Sequence, residues 1–269
     1  MTTQTQTLLS RREGAVLILS NNNVAARNAL SPEFYKAFTA ALQDAEIDPS
    51  VGAVVLTGEG GHFCAGGDLR QLATRRELAP QERRAKVESL HDLIRTVRDF
   101  PKPVVAAVEG AAAGAGLSLA LACDMLVAAK SAVFSVAYVK VGLTPDAGAT
   151  AFLSEFVSRQ VLTELCLTGA RIDGVRLHAL GAVNRLSEPG QAVAQAVALA
   201  SEIANGPLQA MARIKDLCRQ ASRNTPEQQL EAEAEYMVLS QATDESLEGI
   251  GAFLEKRQPD YTKLRGPRA

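Results

Sequence analysis

The stretch GLTPDAGAT (142–150) sets one carboxylate, Asp146, among small and conformationally special residues. Such an acid has two uses. It caps the helix that follows, as Asp after Pro and before AGAT would, or it moves a proton as a general acid/base. The residues alone leave both open. The glycine-rich stretches are the next candidates. GEGGHFCAGGDL (58–69) has glycines on both sides of Ala65, so backbone N–H groups there can face a ligand without side-chain obstruction. It also reads as a plain strand-to-helix loop with Asp68 as N-cap. EGAAAGAGLSLALACD (109–124) follows a strand and opens a helix, with Gly110, Gly114 and Gly116 in a G-x-x-x-G-x-G pattern. A dinucleotide site is excluded. The helix has room for only about two turns, whereas that motif carries its acidic residue about 20 residues further on. What remains is a helix N-terminus facing developing negative charge, close packing through small residues, or both.

His62, His91 and His178 are the only histidines, and none has the spacing of a metal site or a triad. His62 lies in the glycine loop, His91 in a charged helix, and His178 at the end of a helical stretch in a structural role. Asp124 reads as a turn or capping residue. Arg27, in RNAL before a capped helix, is a candidate contact for an anionic ligand. Cys64, Cys123, Cys166 and Cys218 form no CxxC or Cys/His cluster, which argues for buried free thiols and against zinc or disulfides.

The elements that must position these residues alternate. GAVLILS (14–20), VGAVVLTGEGG (51–61), PVVAAVEG (103–110) and DMLVAAKS (124–131) read as strands. A helix over 31–48 has Ser31 as N-cap, Pro32 in its first turn, and Phe34, Phe38, Leu42 and Ala45 at helical spacing. A charged helix spans about 82–98. This order predicts an α/β fold with helices outside the strands. From about residue 190 the chain reads as four amphipathic helices, fit to pack on a core or on another subunit.

The 269 residues suit one large domain, or one with a helical appendage. A net charge of −2 gives no global pull toward nucleic acid or anionic membrane. The start, MTTQTQTLLSRRE, lacks the apolar region of a signal peptide, and the longest apolar run is Gly-broken and shorter than the roughly 20 residues a membrane span needs. The expected location is cytoplasmic.

Together the segments RNALS (27–31), FCAGGDL (63–69), AVEGAAAGAGLSLALACD (107–124), GLTPDAGAT (142–150), LTGARID (167–173) and FLEKRQPDY (253–261) resemble the crotonase, or enoyl-CoA hydratase/isomerase, superfamily. They run in that family's order over nearly the whole chain. The resemblance implies an α/β spiral of ββα units over 1–195 holding the acyl-CoA site, and a helical oligomerisation region over 196–269. It implies a homotrimer, or a hexamer of two trimers. It implies a coenzyme A thioester as substrate and no permanently bound cofactor or metal. By position, the N–H groups of Ala65 and Ala115 would form the oxyanion hole. Ala25, Ala26, Arg27, Asn28, Ala65, Gly66, Gly67, Asp68, Leu69, Gly114, Ser118 and Tyr138 would line the CoA and acyl site. Lys256 of a neighbouring subunit would help with the phosphates.

The chain departs from the family's hydratases at two positions. Their two water-holding glutamates fall at Ser118 and Tyr138 here. Asp146 remains, where isomerase branches carry an acid. The flavour is nearest to the phenylacetate-pathway branch, which rearranges a ring epoxide of phenylacetyl-CoA and shifts enoyl double bonds. The resemblance therefore implies an isomerase with Asp146 as acid/base. The alternatives are a hydratase and a catalytically decayed acyl-CoA-binding relative. A dehalogenase would need a histidine base, and none lies between 92 and 177.

Overall fold

The computed structural model describes residues 6–265. The chain opens with an antiparallel hairpin of β1 (Leu8–Glu13) and β2 (Val16–Asn21), followed by α1 (Pro32–Ile47) and β3 (Ala53–Gly58). Next come α2 (Leu69–Thr74), α3 (Pro80–Asp99), β4 (Val104–Val108), β5 (Ala111–Ala113), α4 (Ala115–Leu121), β6 (Met125–Ala129) and β7 (Val133–Ser135). Then follow α5 (Ala149–Leu153), α6 (Arg159–Thr168), β8 (Arg171–Asp173), α7 (Gly174–Ala179) and β9 (Arg185–Ser187). The last part is helical: α8 (Ala192–Ala204), α9 (Leu208–Ala221), α10 (Pro226–Gln241) and α11 (Asp244–Leu254).

The main sheet has the order β1-β2-β3-β4-β6-β9 and is parallel from β2 onward. Successive side chains of a strand point to opposite faces. One face presents Ile18, Val55, Val105, Ala107 and Val127 to Ala196, Leu199, Ala200 and Ala204 of α8. The other presents Leu19, Val54, Leu56, Val104, Ala106 and Val108 to α1 and α3. Both faces are buried, so these strands read as continuous apolar runs, as parallel strands do. A smaller sheet, β5-β7-β8, stands beside the first.

The predicted strands and helices are present with ends shifted by a few residues. Ser31 accepts from the Phe34 N–H at 3.3 Å and starts α1, and Phe34 stacks on Phe38 with ring centroids 5.4 Å apart. One strand is added and one expectation changes. β1 is an added edge strand; its sequence LLSRRE is mostly exposed, so it carries no burial pattern. The boundary expected at 195/196 falls inside α8, which packs on the sheet and belongs with the core. No helix among the described residues is long and apolar enough to cross a membrane, and no cluster of three metal-ligating side chains occurs among them.

Candidate active site

Segments 63–68, 110–118 and 138–148 converge beyond the C-terminal ends of β3 and β4, where open α/β sheets commonly bind ligands. Cys64 N–H donates to the Ala111 carbonyl and Ala113 N–H to the Cys64 carbonyl, both at 2.9 Å. These bonds lay the glycine loop along β5. Gly66 has φ +97°, and a Cβ there would stand 2.7 Å from the Ala113 carbonyl oxygen, so only glycine fits. The same Cβ position is 3.6 Å from the Ala115 nitrogen, so the two backbones touch. Gly114, at φ 52° and ψ −127°, turns the chain into α4.

Ala115 is the first residue of α4, so its N–H has no intrahelical acceptor. It donates to no other group among the described residues. Ala65 is different. Its N–H donates to the Arg27 carbonyl at 3.0 Å. That corrects the expectation that Ala65 supplies the second oxyanion donor, because its proton is already committed. The Gly67 N–H, two residues on, has no acceptor among the described residues. The sequence held no signal to choose between 65 and 67, since the choice depends on where Arg27 folds.

Arg27 and Asn28 both adopt left-handed backbone, with φ 49° and 59°. Arg27 and Ala25 are exposed beside the glycine loop, with Ala26 partly covered. Asn28 is fully buried, and its expected contact with ligand is corrected. Its Oδ1 accepts from the Asn23 N–H at 3.0 Å, and its Nδ2 donates to the Glu59 and His62 carbonyls at 2.8 and 2.6 Å. Its side chain clamps two loops together and is buried away from a substrate. Asp68 caps α2 by accepting from the Arg70 N–H at 2.9 Å, which leaves Leu69 exposed. Lys256 is exposed at φ 55° after α11, and no hydrogen bond or ion pair among the described residues joins it to this site.

Asp146 does not cap α5. The N-cap there is Gly148, and no side chain caps the helix. Instead Tyr138 donates its hydroxyl to Asp146 Oδ1 at 2.7 Å. Ser118 Oγ, fully buried, donates to the Asp146 main-chain carbonyl at 3.4 Å. The next residue, Ala147, is buried with φ 53°, a conformation that costs a non-glycine residue about 1 kcal/mol and persists where the surroundings enforce it. Burial, with the Asp146 charge and the hydrogen bond to it, pushes the Tyr138 phenol well above its usual range. Tyr35 on α1 also faces this region, a residue the sequence reading missed because it sits one position off the Phe34/Phe38 stripe. Burial pushes its phenol up to about 12, with Arg75 opposing and the Asp146 charge adding a little.

Other candidates are structural. Asp124 accepts from the Val104 N–H and pairs with Lys215 at 2.7 Å, while burial pushes its carboxyl up. His178 Nδ1 lies 2.7 Å from the Val183 carbonyl. All four cysteines are free, and Cys218 is exposed rather than buried. A cavity of about 710 Å³ opens near the N-terminal end of β4, lined by Lys102, Arg213 and Glu245 among others, and includes no residue of the convergent site.

Residues 11–264 match the family model described as enoyl-CoA hydratase/isomerase. The chain is 33% identical to the 1,2-epoxyphenylacetyl-CoA isomerase of Escherichia coli K12, over 95% of this chain and 98% of that one. It is also 33% identical to the 2,3-dehydroadipyl-CoA hydratase of the same organism, over 94% and 98%. Among solved structures, an enoyl-CoA hydratase from Polaromonas sp. JS666 superposes with a TM-score of 0.91 at 46% identity, covering 94% of this chain and 98% of that one. The fold is the crotonase-type α/β fold, and the chain belongs to the enoyl-CoA hydratase/isomerase family.

Proposed function

We propose that this protein is an enoyl-CoA isomerase that shifts a double bond through a thioester enolate, with Asp146 as its acid/base. The observation that carries the reading is the convergence on Asp146. The two positions where the family's hydratases hold glutamates bear Ser118 and Tyr138, and both hydroxyls bond to Asp146. A relative named as an isomerase supports it.

The chemistry needs one carboxylate and one oxyanion cradle. Asp146 takes a proton from C2 of a 3-enoyl thioester. The C–H electrons move into the C1–C2 bond, and the negative charge reaches the thioester oxygen. Ala115 and Gly67 N–H groups receive it; losing one such donor typically costs about 3 kcal/mol of transition-state stabilisation. The dienolate then takes the proton back from Asp146 at C4, which gives the 2-enoyl thioester. A ring epoxide of an aryl-acetyl thioester is the other substrate this cradle would suit. The exposed backbone around Ala25–Arg27 and Gly66–Leu69 is assigned to the CoA moiety.

A hydratase is the second reading, favoured by the names of most of the relatives. It requires Asp146 to activate water. A decayed acyl-CoA-binding relative would keep the cradle without turnover. The test is trans-3-hexenoyl-CoA isomerisation beside crotonyl-CoA hydration, each with Asp146→Asn. Isomerisation should fall by about 10²–10⁴-fold with CoA-ester affinity retained. Hydration that survives the substitution would replace this reading with a hydratase. Binding without either reaction would make the chain a carrier.

The helical region is also assigned to self-association. It exposes Met237, Val238, Leu247, Ile250, Phe253 and Leu254, a concentration of apolar surface that a second copy of the chain would cover.

A further inference from the structure

We infer that Tyr138 is a positioning residue that fixes the Asp146 carboxylate by one oxygen and sets its place relative to the oxyanion cradle. The inference rests on the reading of Asp146 as acid/base. Tyr138 bridges the two halves of the site. Its hydroxyl meets Asp146 Oδ1 at 2.7 Å, and its ring lies against the turn that opens α4, 3.7 Å from where a Gly114 Cβ would stand. Asp146 Oδ2 accepts from no group among the described residues, so it is the oxygen left for proton transfer. Ser118 holds the Asp146 main chain by a separate bond. Freed rotation of the carboxyl would spread its reactive oxygen over many positions, and misplacement by about 1 Å can cost about 10²-fold.

The bond also has an electrostatic sense. A donor to the charged form of an acid favours that form. The phenol stays protonated, because burial and the neighbouring charge push it far above neutral pH. It can therefore donate to the carboxylate but cannot serve as a base for water. In this way Tyr138 supports the proton shift at a position where a carboxylate would support hydration.

The other elements packed around Asp146 bring few ionisable groups. α4 presents Ser118, and α5 carries no ionisable side chain. The 137–141 turn adds Lys140, which is exposed and packs on Gly169. α1 presents Tyr35, with Arg75 and Cys64 near it; burial holds Tyr35 and Cys64 at about 12, so neither changes charge in acid.

The experiment is the kcat and KM of isomerisation for the wild type, Tyr138→Phe and Asp146→Asn. In Tyr138→Phe, kcat should fall about 10-fold or more with KM nearly unchanged, since the carboxyl is displaced while the substrate's own contacts are kept. An unmoved kcat overturns the inference. If Tyr138→Phe does not fold, 4-aminophenylalanine installed at position 138 tests the same bond. Its amine is a weaker donor, so kcat should fall with KM nearly unchanged, and an unmoved kcat again overturns the proposal. Asp146→Asn separates the two readings. Activity retained there removes the proposed function itself. Activity lost there, with Tyr138→Phe unmoved, removes only the role of Tyr138.

Discussion

Asn28 anchors the loop that carries Arg27 beside the glycine segment. Three part-buried hydrogen bonds tie its amide to Asn23, Glu59 and His62, and its own carbonyl accepts from Asn21 Nδ2 at 2.9 Å in a buried bond. Replacing it with Ala leaves two carbonyls and one N–H without those partners and places Ala at φ 59°. Asn28→Ala should therefore lose about 3 kcal/mol in urea unfolding. It should also weaken acyl-CoA binding, because Arg27 and its carbonyl would no longer be held against Ala65. A stability within about 0.5 kcal/mol of wild type would refute the clamp. The family resemblance implies a ligand contact for this side chain. It is polar and lies in a matching motif, yet only the folded loop reveals that its bonds are made inward.

At the scale of elements, α1 is a helix whose start and buried face are local. Ser31 caps it, and Ser31→Ala should cost about 1 kcal/mol in thermal or urea unfolding, with activity unaffected. The far end of α1 involves a distant residue. Lys102, 6% exposed, donates its Nζ to the Ala45 and Asp48 carbonyls at 2.6 and 2.7 Å. Burial pushes its amine down to about 8, from an ordinary value of 10.5. Below pH 8 both folded and unfolded chains carry the proton, and burying the charge opposes folding. Between pH 8 and 10.5 the folded chain releases it while the unfolded chain keeps it, so this residue's contribution to stability rises with pH. The urea midpoint of the wild type relative to Lys102→Met should accordingly increase across that window. A flat difference would contradict the pressure that burial puts on this amine.

At the scale of the whole molecule, the C-terminal helices expose more apolar surface than a lone chain has use for. Phe253 is 82% exposed, and Leu247 and Leu254 are each 74% exposed. Sedimentation should find an assembly, with three copies as the expected state, and the double substitution Phe253→Glu, Leu254→Glu should shift it toward monomer. A wild-type chain that sediments as a monomer at micromolar concentration would remove the assignment of this face.

The sequence by itself determined the layering, the identity of α1, the C-terminal helices and the acid at 146. Each is written in local periodicity, a cap, or a residue type missing from Ser118 and Tyr138 where the resemblance expects carboxylates. Long-range contacts decided the rest. β1 carries no burial pattern and exists because β2 offers it an edge. α8 reads like the helices that follow it, but packing against β3 and β4 makes it part of the core. Only the tertiary structure gives Arg27 a carbonyl aimed at Ala65, leaves the Gly67 N–H without an acceptor among the described residues, and brings Tyr138 within 2.7 Å of Asp146. Local sequence sets what each residue is able to do. Which donors remain unspent is settled by hydrogen bonds between segments far apart in the chain, and no local pattern records them.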